Sequence, residues 1–181
     1  MQKVISIATA LLLVSAAQVL PQNMHKHGHG HTQHDEVNMP GLKGKDATPE
    51  ESQELAVMFR NFQDIDRTVE NLPNGIKTIT TSKNAHAFQA LVNHVTGMIN
   101  RVEEKRDPKI FIQSPTLDIF FERSEAIKTE IDVTEDSVIV TQTSDDPELV
   151  EAMHKHAHEV SRMVEHGMRA VHEMMMERSK G

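Results

Sequence analysis

The chain has 181 residues and a formal net charge of −8, from 27 acidic and 19 basic side chains. This length fits one domain, and the acidic balance excludes nucleic acid as a partner because phosphate binding needs clustered cations. With no cysteine, disulfides, thiolate metal sites and cysteine catalysis are excluded as well. The 12 histidines and 11 methionines, by contrast, are abundant and direct attention to metal binding.

Residues 1–17 predict a secretory signal peptide. Lys3 is followed by an apolar run over residues 4–14, and the small residues at 15–17 suit a cleavage site. The apolar run is too short for a good membrane-spanning helix, and no cysteine follows that could carry a lipid. We therefore expect a periplasmic or secreted protein that has no membrane anchor after signal cleavage.

Residues 18–47 predict a disordered, histidine-rich tail and linker. Glycines interrupt the alternating histidines, so the backbone is expected to be flexible. Several imidazoles on such a segment suit copper or zinc, whereas a merely solubilising or pH-responsive tail is the alternative. The predicted tail ligands are His25, His27, His29, His31 and His34.

Residues 48–181 are expected to form one α+β domain. Thr48, Pro49 and Glu51 match a capping box and predict an N-terminal helix. The stretches at about 65–105 and 126–178 each combine two β-branched runs, a turn and an amphipathic helix. We predict a duplicated ββα unit that forms a four-stranded antiparallel sheet with the helices on one face.

Aligning the two units places His94 on His156, each beside the apolar stripe of its helix. If the helices pack side by side, the two imidazoles face each other, and Met98 lies one turn from His94. Two histidines and a methionine suit copper. The alternatives are two half-buried histidines bonded to a carbonyl or an acidic neighbour, and a pair of axial haem ligands. The low aromatic content counts against haem.

The last predicted helix begins at Asp146–Pro147 and runs to about Glu177, with a bend at Gly167. His154 and His158 are one turn apart on it and lie on the same face. With the preceding Glu151 they form a candidate zinc or copper strip, for which a solvated polar face is the alternative.

No catalytic motif is found in the chain, so we do not expect an enzyme. The leading prediction is an exported His/Met-rich metal-binding protein that captures, buffers or delivers copper, with zinc as a second metal. The alternatives are a bis-histidine haem-binding protein and a cofactor-free periplasmic module that binds a protein partner.

Overall fold

The computed structural model describes residues 40–180 of the chain. Its α-helices are α1 (Pro49–Arg60), α2 (Ala85–Glu103), α3 (Asp118–Glu122), α4 (Pro147–His166) and α5 (Met168–Arg178). Its strands are β1 (Ile65–Leu72), β2 (Gly75–Ser82), β3 (Lys128–Val133) and β4 (Ser137–Thr143). Short 3-10 turns at Phe62–Asp64 and Ser124–Ala126 precede β1 and β3, respectively.

The four strands form one antiparallel sheet in the order β1-β2-β4-β3. Residues of β2 alternate between its two faces, so that Thr78 and Thr80 are buried whereas Lys77 and Ile79 are exposed. Helices α2 and α4 both pack against β2 and cover its buried, inner face. The α+β class and the four-stranded antiparallel sheet predicted from the sequence are confirmed.

The two hairpins share one pairing register. A shift of 62 residues takes Thr78 to Val140, and these two residues are partners at the centre of the β2–β4 pairing. The same shift converts the register of the β1–β2 hairpin into that of the β3–β4 hairpin. An approximate two-fold axis therefore passes between Thr78 and Val140 and relates the two hairpins.

This correspondence extends beyond the predicted ββα unit. The 3-10 turn at Phe62–Asp64 has its counterpart in Ser124–Ala126. Helix α3, which contains the buried Phe121, corresponds to the end of α1, which contains the buried Phe59. The N-terminal helix, which the sequence analysis treats as an addition to the repeat, therefore has a shortened counterpart in the second half.

Side-chain caps fix the start of each long helix. Thr48 Oγ1 accepts a hydrogen bond from the Glu51 backbone N–H, while the Glu51 carboxylate accepts one from the Thr48 N–H. The capping box predicted for α1 is thus present. Asn84 caps α2 and Asp146 caps α4 at equivalent positions, so the two helices leave the sheet in the same way.

The last helix is divided into two, unlike the single bent helix expected from the sequence. Helix α4 ends at His166, and α5 begins at Met168. Between them Gly167 adopts φ 57° and ψ −142°, a conformation that L-residues rarely adopt. Its backbone lies against Phe62, where an added Cβ would come within 3.0 Å of the ring. The chain thus changes direction here instead of continuing the helix.

Residues 40–47, which the sequence analysis includes in the linker, belong to the packed part of the chain. Leu42 is buried in a core cluster with Phe59. Asp46 forms an ion pair with the buried Arg101. The predicted signal peptide lies outside the described residues. No helix within residues 40–180 combines the length and the apolar character needed to cross a membrane.

Candidate functional site

A cavity of about 310 Å³ lies between the inner face of the sheet and the helices. Its wall is mainly hydrocarbon, including Leu91 and Val95 from α2, Val140 from β4 and Val160 from α4. Most voids in protein interiors are no larger than a water molecule. Pockets that bind small molecules have volumes of about 300 to 1,000 Å³, so this cavity falls at the lower end of that class.

The two histidines that the sequence alignment pairs both line this cavity. His94 reaches it from α2 and His156 from α4, and the shift of 62 residues relates the two positions. Met98, one turn after His94, also lines the cavity. The structure therefore brings the three members of the candidate copper group to one cavity, whereas metal binding by them stays a prediction.

The environment of His94 makes its imidazole a weak base. Burial lowers the pKa of His94 to about 4; the Glu51 carboxylate partly opposes this shift, and the His156 imidazole adds to it. At neutral pH the ring is therefore uncharged. A neutral imidazole can accept a hydrogen bond or coordinate a metal through its unprotonated nitrogen.

His156 belongs to a polar cluster at the cavity wall. Its Nδ1 atom lies 3.8 Å from Oε2 of Glu159, an ion-pair separation. Glu159 is only 8% exposed, and its Oε1 accepts hydrogen bonds from Ser114 at 2.8 Å and Thr116 at 3.2 Å. Burial raises the pKa of Glu159, but His156 and these hydroxyl groups outweigh it and the net pKa is lowered. The Glu159 carboxyl is therefore ionised at neutral pH.

Arg67 is a cavity residue that the sequence analysis does not identify. It lines the cavity from β1, and its Nη1 donates a hydrogen bond to Thr80 Oγ1 at 2.9 Å. Burial lowers the pKa of Arg67 to about 10, so the guanidinium remains charged at neutral pH. The sequence does contain a signal for it. Arg67 is two residues after the buried Ile65 in β1, so the two side chains lie on the same face of the strand, and that inner face should be apolar.

Unpaired polar atoms are concentrated at the same cavity. In the described part of the chain, four buried side-chain atoms have no hydrogen-bond partner, and all four belong to residues that line it. They are Arg67 Nε, Gln113 Oε1, His156 Nδ1 and Glu159 Oε2. An unsatisfied buried polar atom costs about 1–3 kcal/mol, so such atoms are uncommon away from functional sites.

The predicted metal-binding strip on α4 does not assemble. His154 Nε2 lies 2.8 Å from the Gly75 carbonyl oxygen and 3.2 Å from that of Leu72, so the ring donates to the turn between β1 and β2. His158 is exposed. Within residues 40–180, no three His, Asp or Glu side chains are grouped so that they could hold a metal ion.

The five tail histidines predicted as metal ligands lie outside the described residues, so the candidate site consists of the cavity and its polar wall. A functional conclusion must come from these residues themselves, because comparison with family models, curated proteins and solved structures finds no match to the chain.

Proposed function

We propose that this protein binds a small, mainly apolar molecule in the cavity between the sheet and the helices. The cavity of about 310 Å³ with its hydrocarbon wall carries the proposal. An engineered apolar cavity of about 150 Å³ is known to bind benzene, which has six heavy atoms. By proportion, the cavity described here would hold a molecule of about twelve heavy atoms.

The unpaired polar atoms support a ligand with some polar character. A wholly apolar molecule would leave the four atoms at the wall unsatisfied, whereas a ligand with a polar group can pair with one or more of them. This combination of an apolar wall with a few polar groups is typical of small-molecule sites.

Binding is favoured over catalysis by the arrangement of the polar cluster. Ser114 donates its hydroxyl proton to Glu159, so this serine is not activated by the neighbouring His156. The contact between His156 and Glu159 pairs an imidazole with a carboxylate but supplies no nucleophile.

The test is to block the cavity without disturbing the sheet. Val140→Phe would place a ring in the cavity from β4, and Ile139→Phe is the matched control because Ile139 is the adjacent residue and does not line the cavity. Calorimetric titration with 1-decanol should detect binding to the wild type and to Ile139→Phe but not to Val140→Phe. Equal binding to all three folded proteins would refute the proposal.

A second candidate function is binding of copper, zinc or haem by His94 and His156. It is supported by the shared position of both imidazoles on one cavity and by the uncharged state of His94 at neutral pH. The thioether of Met98 would favour Cu(I). Export through the predicted signal peptide and ion collection by the histidine tail would complete this function.

The metal candidate is tested by competition titration of Cu(I) against a chromophoric chelator. The full chain and the double variant His94→Ala/His156→Ala should differ by one tightly bound ion, and His158→Ala is the matched control. Loss of the same ion from the control, or from neither variant, would remove the cavity histidines as ligands. A Soret band on adding haem, absent from the double variant, would identify haem instead.

A further inference from the structure

Arg67 is a half-buried cation for which residues 40–180 supply no counter-ion. None of the ion pairs within residues 40–180 includes its guanidinium. Burial lowers its pKa to about 10. Among the described residues, its side chain donates one hydrogen bond, from Nη1 to Thr80 Oγ1, and its Nε has no partner.

Arg101, which is buried, has a very different environment. Its Nε and Nη2 donate to the two carboxylate oxygens of Glu51, and its Nη1 donates to Asp46 at 3.0 Å. The remaining donors reach the backbone oxygens of Asp46 and Arg106. Arg101 is thus fully used in holding the fold, whereas Arg67 Nε is buried without a hydrogen-bond partner.

Placing an unpaired charge in an apolar environment is strongly unfavourable unless a partner of opposite charge is supplied. Arg67 faces a cavity that is large enough for a ligand and that has a hydrocarbon wall elsewhere. We infer that the cavity ligand is an amphipathic carboxylate whose anionic end is held by Arg67. This inference rests on the proposed function, because it names the chemical class of the molecule bound in that cavity.

The shape of the Arg67 guanidinium supports a carboxylate as its partner in particular. A guanidinium presents a planar fork of N–H donors that matches the two oxygens of a carboxylate. The apolar remainder of the ligand would then lie along the valine, leucine and methionine side chains of the wall. With about twelve heavy atoms, a saturated fatty acid of ten carbons has the appropriate size.

Glu159, the acidic residue of the wall, forms no ion pair with Arg67. Its Oε1 is occupied by Ser114 and Thr116, and Oε2 lies beside His156. The cavity wall therefore contains a cationic and an anionic side chain that are not paired with each other.

The first experiment compares two probes on the full wild-type chain. Decanoate and 1-decanol have the same alkyl chain but differ in charge, and both are titrated calorimetrically at pH 7.5 below their aggregation limits. A charge-assisted pair is worth about 1.5–3 kcal/mol, so decanoate should bind about 10- to 100-fold more tightly than decanol.

The second experiment assigns this preference to one side chain. Arg67→Gln should weaken decanoate binding by about 10- to 100-fold and leave decanol unchanged. Arg178→Gln is the matched control, because Arg178 also lines the cavity but its Nε and Nη1 donate to the backbone oxygens of Met174 and Gln113. Arg67→Lys keeps the positive charge and should retain the preference for decanoate. It is the variant to measure if Arg67→Gln does not fold.

The outcomes separate this inference from the proposed function. If decanoate and decanol bind equally well, the carboxylate assignment is overturned while the cavity remains a binding site. If Arg178→Gln removes the preference and Arg67→Gln does not, the anion site has been assigned to the wrong residue. If neither probe binds the wild type, the proposed function itself fails, and this inference fails with it.

Discussion

His94 and His156 occupy equivalent positions in the two halves of the fold and line one cavity, but their surroundings differ. Glu159 follows His156 by one turn and lies 3.8 Å from it. The shift of 62 residues that relates the halves places Gly97 at the position equivalent to Glu159. His94 therefore lacks the carboxylate that accompanies His156, and burial lowers the pKa of His94 to about 4.

This difference predicts a pH dependence of stability. The pKa of His94 falls from its ordinary value of 6.5 to about 4 on folding, so the unfolded chain binds the proton more readily. The stability that depends on a neutral His94 is fully present above pH 6.5 and is lost as the pH falls towards 4. The loss is about 3 kcal/mol in the free energy of unfolding, measured by urea denaturation across this range.

The matched variants for this prediction are His94→Gln and His158→Gln. The first should flatten the stability curve between pH 6.5 and 4, since the titrating group has been removed. The second should follow the wild type because His158 is exposed. A curve for His94→Gln that parallels the wild type would show that another group is responsible.

The buried ion pair of Arg101 should contribute far more to stability than the exposed pairs of Arg123. Arg101 is 3% exposed and bridges Asp46 and Glu51. Arg101→Ala would leave the Glu51 carboxylate without its principal partner and should cost about 3–5 kcal/mol. Arg123→Ala breaks the more exposed ion pairs with Asp146 and Glu148 and should lower the free energy of unfolding far less. Chemical denaturation of both variants measures the difference, and similar losses would contradict this assignment.

Two glycines should respond to the same substitution in opposite directions. Gly167→Ala would place a Cβ 3.0 Å from the Phe62 ring at a φ of 57° and should destabilise the protein by about 1–3 kcal/mol. Gly97→Ala lies within α2, where an added Cβ meets nothing within 4 Å, and should stabilise it by about 0.5–1 kcal/mol. Thermal unfolding midpoints of the two variants test the signs, and stabilisation by Gly167→Ala would refute the role of Gly167.

His154 should act as a structural rather than a metal-binding residue. Its Nε2 connects α4 to the turn between β1 and β2 through the carbonyl oxygens of Leu72 and Gly75. His154→Ala should lower the free energy of unfolding by about 1–3 kcal/mol, because it leaves these carbonyl oxygens without their donor. His158→Ala on the exposed face should change it by less than about 0.5 kcal/mol. Equal effects in denaturant titrations would contradict the difference.

Local signals made the regular part of the fold predictable. The capping box at Thr48, the turn at residues 73–75 and the Asp146–Pro147 helix start each depend on a few adjacent residues. The alignment of His94 with His156 also agrees with the strand registers, since both halves present the same backbone pattern. These features are encoded over short distances along the chain.

Features that depend on distant contacts were not predictable in the same way. The break at Gly167 depends on packing against Phe62, and the packing of Leu42 depends on a cluster that includes residues of α1 and α5. Arg67 looked like an ordinary charged residue of a strand, because the cavity it faces is formed by helices far along the sequence. The sequence therefore identifies the two histidines of the candidate site but not its arginine.

The approximate two-fold relation between the halves has a consequence for the orientation of a bound ligand. A cavity formed by two identical halves would bind an asymmetric ligand equally well in either of two directions. The residue equivalent to Arg67 is Thr129, and the residue equivalent to Glu159 is Gly97, so each half contributes a charge that the other lacks. These mismatches make the two halves of the cavity unequal in charge, so the two directions in which a ligand with unlike ends could lie are not equivalent.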